Sequence, residues 1–332
     1  MSGTAGAKKT SATGEASHRL ASVIPLGQYP APAHTIAHIS DTHLLGAGRP
    51  LYGVVAGEQN LKQAFEQLNR LGVKPEAIVI TGDLADLGEP DAYARLRAIV
   101  EPAAASLGAQ IVWVMGNHDE RGPYNQGLFD GDDTDAPQDR VYDVNGLRII
   151  ALDTTVPGYH HGTVTDAQLE WLADVLKTPA ADGTLLALHH PPVPTPLLWA
   201  MEMLELRRQD ALAAVLEGSD VRSILGGHLH YSTHSTFAGI PVSVASATCY
   251  TLALTARDRL LSGVNGNQAL NMVHLYENTV VHSIVPIGDE TEITSFPSEA
   301  AAQIIAMTPE QRLEMFSSKT SPFNAAEAAS SN

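Results

Sequence analysis

The chain has 332 residues, 44% of them hydrophobic and enough to bury a large core, while 37 acidic against 20 basic side chains leave a formal charge of −17. That balance argues against a duplex nucleic-acid binder, which needs clustered Lys and Arg to displace counterions, and disfavours an anionic membrane surface as partner. A small anionic substrate suits such a chain only if something cationic other than Lys or Arg receives it, a condition that points towards metal.

The single cysteine, Cys249, rules out an internal disulfide. Residues 1–33, rich in Ser, Ala, Gly, Thr and Pro, read as a flexible tail without the apolar core of a signal peptide. No run reaches the roughly 18 apolar residues of a membrane span, so the expected location is the cytoplasm. The first strand is expected over residues 35–40, closed by Asp41-Thr42-His43. A glycine-containing loop leads to a helix over 58–71, with Leu61, Phe65, Leu68 and Leu71 on one face. A short strand over 77–81 ends in Gly82-Asp83, and a helix over 90–107 starts with proline in its first turn. The strand over 111–115 ends in Gly116-Asn117-His118-Asp119.

Residues 122–140, with Asp130, Asp132, Asp133 and Asp135, are expected to form a solvated acidic loop, since the Gly and terminal Glu of an EF-hand are missing. A strand follows over 147–153. Thr165-Asp166-Ala167-Gln168 reads as a capping box opening a helix to 176. The strand over 185–188 ends in His189-His190 and a proline-rich turn. The apolar stretch 197–206 is open to three readings: core, lid or partner surface. A helix over 209–217 precedes a strand over 221–225, closed by Gly226-Gly227-His228-Leu229-His230. Strands then follow over 233–237, 240–245, 271–276 and 279–285, and Thr308-Pro309-Glu310-Gln311 announces one late helix. The pattern implies an α/β core of two packed sheets with helices outside.

Five strand-like runs thus end in groups that can bind metal, at the strand edge where α/β sheets form ligand sites. Asp41 and His43 are two apart, as are His228 and His230, and in extended chain such pairs project to one side. The donors are nitrogen and oxygen only, which favours Mn, Fe or Zn-like ions. Two carboxylates, Asp41 and Asp83, contribute −2. Two divalent ions and a bridging hydroxide would leave the site near +1, able to receive a phosphate. Asp83 can bridge two ions, with the acidified water between them as the attacking group. His118, beside a ligand without being one, suits protonation of the leaving group.

The ordered blocks Asp41-Thr42-His43, Gly82-Asp83, Gly116-Asn117-His118-Asp119, His189 and Gly227-His228-Leu229-His230 resemble the calcineurin-like metallophosphoesterase signature over about residues 36–285. The nearest resemblance is to bacterial class III cyclic-nucleotide phosphodiesterases. It implies a four-layer α/β/β/α sandwich of two mixed sheets. It implies one metal on Asp41, His43, Asp83 and His230, and a second on Asp83, Asn117, His189 and His228. It assigns His118 to the phosphate and leaving group, with Asn117 beside it. Asp86 matches the carboxylate that orients this histidine in related phosphatases, although a turn cap is the other reading. Leu87 stands where phosphoprotein phosphatases carry an arginine, and Asp86 where purple acid phosphatases carry a tyrosine ligand.

Of the loop His160-His161-Gly162, His161 is taken as the substrate contact. His190 is expected to be supporting structure, Cys249 a buried small residue, and Asp119 a hydrogen-bonding group behind the site. The expected organisation is a tail over 1–33, a catalytic domain over 34–290, and a helix with a tail over 291–332. The expected activity is hydrolysis of 3′,5′-cyclic AMP, with cyclic GMP a further candidate, by a homodimer holding two divalent ions, Fe or Mn ahead of Zn or Co. The alternative is a related phosphoesterase acting on 2′,3′-cyclic nucleotides or other phosphoesters.

Overall fold

The computed structural model describes residues 27–256, 258–288, 291–293 and 304–324. The expected N-terminal tail therefore lies outside the described residues up to residue 26, as does the C-terminal tail from residue 325. Pro32–Asp289 forms one compact unit, and residues 1–31 with 290–332 group separately.

In the larger unit, β1 (His34–Ile39), β2 (Ala77–Thr81) and β3 (Gln110–Val114) run parallel. With antiparallel β12 (Ala269–Leu275) and β13 (Val280–Pro286) they make a sheet of order β13-β12-β1-β2-β3. The second sheet has the order β4-β5-β6-β7-β9-β8. Its members are β4 (Arg140–Val144), β5 (Leu147–Leu152), β6 (Thr184–Leu188), β7 (Val221–Gly226), β8 (Thr233–Phe237) and β9 (Ile240–Val244). Strands β5, β6, β7 and β9 are parallel, with β4 and β8 antiparallel at the edges. A two-stranded ribbon, β10 (Thr251–Leu252) and β11 (Gly263–Val264), lies outside both.

The period of two along each strand divides its side chains between two buried layers. Ala37, Ile39, Ile78 and Ile80 face α1 (Gly57–Arg70) and α2 (Pro90–Leu107) in one core. Ile36, Val79 and Val112 meet Ile149, Leu185, Ala187 and Leu225 between the sheets. Ile150, Leu186, Leu188 and Ile224 pack on α4 (Asp166–Leu176) and α5 (Gln209–Leu216). Strands β2 and β6, buried on both faces, carry near-continuous apolar runs, as parallel sheets favour. The result is the α/β/β/α order of layers.

The Thr165 capping box forms, with Thr165 Oγ1 accepting from the Gln168 amide N–H at 3.3 Å. The acidic loop is a correction: α3 (Arg121–Phe129) occupies its first half. Its sequence, RGPYNQGLF, carries two glycines and a proline, so intrinsic propensity gives no signal. Burial of Tyr124 and Leu128 against α2 and the first sheet supplies the stability instead. The stretch 197–206 divides: Ala200, Met201 and Leu206 are buried, whereas Leu197, Trp199 and Met203 are 62%, 65% and 54% exposed. In the smaller unit, Thr308 Oγ1 caps the Gln311 N–H at 3.2 Å, opening α6 (Pro309–Arg312). Among the described residues, no helix is long and apolar enough to cross a membrane.

Candidate metal centre and active site

Past the ends of β1 and β2 the chains stay zipped: Asp41 N–H donates to Gly82 O at 3.1 Å and His43 N–H to Asp83 O at 2.8 Å. This sets the first two blocks side by side. Asp119 then ties the third block to the second. Its buried carboxylate accepts from the Gly116, Leu84 and Ala85 N–H groups at 2.9, 3.1 and 3.0 Å and from Tyr93 Oη at 2.9 Å. Burial, then the charge of Asp83, pushes this carboxyl up to about 6 against its backbone donors. Gly116 is required by close approach: a Cβ there would lie 2.0 Å from Asp83 N and 2.3 Å from its Oδ1.

The paired ligands do not converge by extended-chain alternation. Asp41, His43, Asp83, His228 and His230 all have left-handed backbone, with φ of 52°, 43°, 49°, 70° and 54°. Such non-glycine residues cost about 1–3 kcal/mol each and concentrate at functional sites. Each tip coils, and the coil aims its donors inward.

The rings are oriented by their outer nitrogens. His189 Nδ1–H donates to Thr81 O at 2.7 Å, and His230 Nδ1–H to Tyr250 O at 2.9 Å. His43 Nδ1 meets Asp86 Oδ1 at 2.8 Å, and His228 Nε2–H donates to Leu204 O at 3.1 Å. The tautomers this fixes leave lone pairs on His43 Nε2, His189 Nε2, His230 Nε2 and His228 Nδ1.

Those lone pairs face oxygens and one another. His43 Nε2 is 3.1 Å from His230 Nε2, and His230 Nε2 is 3.5 Å from Asp41 Oδ1. His189 Nε2 is 3.1 Å from Asn117 Oδ1. Asp83 Oδ2 lies 3.4 Å from His43 Nε2 and 3.3 Å from His189 Nε2, so one oxygen serves both halves. Acceptor set against acceptor needs a proton or a metal ion between them. Asp41, His43, Asp83 and His230 offer donors within 4.8 Å of one another, as do His189, His190 and His228. His190 has both nitrogens engaged, with Thr154 Oγ1 at 2.8 Å and His160 O at 3.1 Å.

Ionisation tells the same story. Burial opposes the charge of Asp83, yet His189 and then His43 hold its carboxyl well below the usual range. Burial likewise opposes protonation of His189, which the Asp83 charge raises to about 9. His43 is raised as well, against burial. We assign that to Asp83 and Asp86 because burial pushes the nearby Cys249 thiol up to about 12, so it carries no charge at neutral pH. Burial holds His230 down to about 4, and burial with His190 holds His228 lower than an ordinary histidine. The carboxylates demand positive charge, and half of the imidazoles are kept neutral as ligands must be. The donor set fits a dinuclear cation site.

Beside the cluster lies a cavity of about 210 Å³. His43, Asp83, Asn117, His118, His160, His228 and His230 form its polar wall, and Met201, Leu204, Tyr250, Leu252 and Leu261 its apolar one. His118 Nδ1–H donates to the Asp86 carbonyl at 3.1 Å and lies 3.3 Å from its carboxylate, which leaves Nε2 free on the cavity side. Asp86 thus touches both His43 and His118. His161 packs on Tyr159 with ring centroids 5.4 Å apart, whereas His160 lines the cavity, its ring 4.9 Å from His118. Nothing in the pair His160-His161 separates them, because an irregular loop has no period from which to read direction.

Residues 34–232 match the calcineurin-like phosphoesterase family. The chain belongs to that family. Family members are metal-dependent hydrolases, in keeping with the donor cluster. The chain is 54% identical over 295 residues to a cAMP/cGMP dual specificity phosphodiesterase of Mycobacterium tuberculosis, covering 87% of this chain and 92% of the relative. It is 53% identical to a probable cyclic nucleotide phosphodiesterase of Rhodococcus erythropolis, covering 79% and 86%. It is 30% identical to the 3′,5′-cyclic adenosine monophosphate phosphodiesterase of Pseudomonas aeruginosa, covering 67% and 79%. Among solved structures, a dimetal phosphatase from Danio rerio shares the fold with a TM-score of 0.56 at 18% identity, over 77% of this chain and 96% of that one.

Proposed function

We propose that this phosphoesterase hydrolyses 3′,5′-cyclic AMP, and cyclic GMP with it, to the 5′-monophosphate at a dinuclear centre. The observation that carries the reading is Asp83 Oδ2, set within 3.4 Å of a lone-pair nitrogen from each half of the donor cluster. The name of the Mycobacterium tuberculosis relative supports the substrate. Asp41, His43, Asp83 and His230 would hold one ion, and Asp83, Asn117, His189 and His228 the other. Two divalent ions bound there supply Lewis acidity towards the phosphoryl oxygens and an acidified water as nucleophile.

The chain's own residues do the rest. Asn117 Oδ1 adds a neutral donor, which keeps the centre cationic enough for an anion. His118, steered by Asp86, presents Nε2 to the departing 3′ oxygen and hands it a proton. The apolar wall of Met201, Leu204, Leu252 and Leu261 receives the base and ribose, away from the ions. The oxygen and nitrogen donors suit Fe or Mn ahead of Zn or Co. We place the catalytic domain over 34–290 in a cytoplasmic homodimer, with exposed Leu197, Trp199 and Met203 as the dimer face.

The test is a substrate panel on protein of measured metal content. Release of 5′-AMP and 5′-GMP from the 3′,5′-cyclic nucleotides is expected. Cleavage confined to 2′,3′-cyclic nucleotides would replace the substrate, and inertness towards these and bis(p-nitrophenyl) phosphate would sink the enzyme reading.

A further inference from the structure

His190 is fully buried, with both nitrogens engaged in hydrogen bonds. Its surroundings form a chain of hydrogen bonds. Thr154 Oγ1 is bonded to His190 Nδ1 at 2.8 Å, and His190 Nε2–H donates to the His160 carbonyl at 3.1 Å. His160 Nδ1 in turn accepts from Asn117 Nδ2–H at 2.9 Å. The loop is fixed from its other side too: Gly162 N–H donates to Glu205 O at 3.2 Å, and Arg207 N–H to Gly162 O at 2.8 Å. Gly162 lies so close to His190 that a Cβ there would meet its Cγ at 2.5 Å. The loop that carries His160 is therefore pinned by a buried imidazole and by backbone pairing.

An asparagine side chain has two unlike ends, and only the oxygen can bind a cation. With Nδ2 donating outward to His160, Oδ1 is turned inward, 3.1 Å from His189 Nε2. We infer that His160 is a positioning residue: by accepting the Asn117 N–H, it sets that amide with its oxygen towards the second ion, and His190 holds His160 in place to do so. The inference rests on the proposed dinuclear centre and concerns the half built on Asn117, His189 and His228. The half built on Asp41, His43 and His230 does not touch His160.

The test compares His160→Ala with His160→Gln, which keeps a side-chain acceptor, by titrating manganese into metal-stripped protein. Wild type is expected to bind two ions per chain. His160→Ala is expected to hold the first with unchanged affinity and to bind the second about 10–100-fold more weakly, the usual cost of losing a residue that orients a ligand. His160→Gln should recover most of that loss. Unchanged binding of both ions by His160→Ala would overturn the inference. Equal weakening of both ions, or an equal deficit in the alanine and glutamine variants, would overturn it as well. Because the readout is stoichiometry, protein that binds two ions yet cleaves no cyclic nucleotide would refute the substrate reading and leave this inference intact.

Discussion

Three neighbouring residues, Gly116, Asn117 and His118, do three different jobs. Gly116 makes room, because Asp83 N occupies the space of a Cβ. Gly116→Ala is expected to cost about 1–3 kcal/mol or more, as overpacked cores do, and to distort Asp83; a lowered urea midpoint with lost activity would show both. Asn117 supplies an oxygen whose direction comes from its other end. Asn117→Ala should abolish turnover of cyclic AMP while the circular dichroism spectrum is retained; persistence of activity would remove Asn117 from the centre. His118 has only Nε2 free. His118→Asn should lower kcat by about 10²–10⁴-fold for cyclic AMP, whose alkoxide needs a proton. It should fall far less for bis(p-nitrophenyl) phosphate, whose phenolate leaves unaided, and equal losses on both would exclude a proton-donor role.

At the scale of elements, what the sequence showed and what it hid divide along physical lines. A strand buried on both faces is mostly apolar, so the shift to glycine and polar residues marks where it ends, as around Asp41, Asp83 and Asn117. Coiling of the tips left no such mark, since residues with left-handed backbone are usually glycine or asparagine and here are aspartate and histidine. Helix α3 was hidden because tertiary burial of Tyr124 and Leu128 outweighs a poor local sequence. Strand β1 carries a further consequence. His38 is fully buried, and burial, with His282 adding to it, lowers its pKa from 6.5 to about 3. A histidine held neutral by folding contributes stability above its unfolded pKa, and that contribution is lost as pH falls below about 6.5. Between pH 7 and pH 5 the loss is about 2 kcal/mol. His38→Gln keeps a donor for Thr81 Oγ1, 2.8 Å away in the native chain, and does not titrate. The stability difference between wild type and variant should therefore shift by about 2 kcal/mol in favour of glutamine over that range; a pH-independent difference would show that His38 is not held neutral by the fold.

For the whole molecule, the layer order places every strand tip that carries a donor at one edge, and the sequence alone indicated that arrangement. It could not show that one carboxylate oxygen, Asp83 Oδ2, faces both halves of the cluster, since that depends on how two sheets meet. The acidic surface and the cationic centre are complementary in this account: without ions the two carboxylates are offset only by the raised His43 and His189, and the site loses the excess positive charge that would hold a phosphate. Chelation is accordingly expected to abolish binding of cyclic nucleotide as well as turnover, with manganese restoring both. The most direct measurement is product analysis of 3′,5′-cyclic AMP incubated with protein shown to carry two ions per chain. Formation of 5′-AMP, lost in parallel with the ions on chelation, is the result expected. A fully loaded protein that leaves 3′,5′-cyclic AMP intact, or activity that survives complete removal of the metal, would contradict the account.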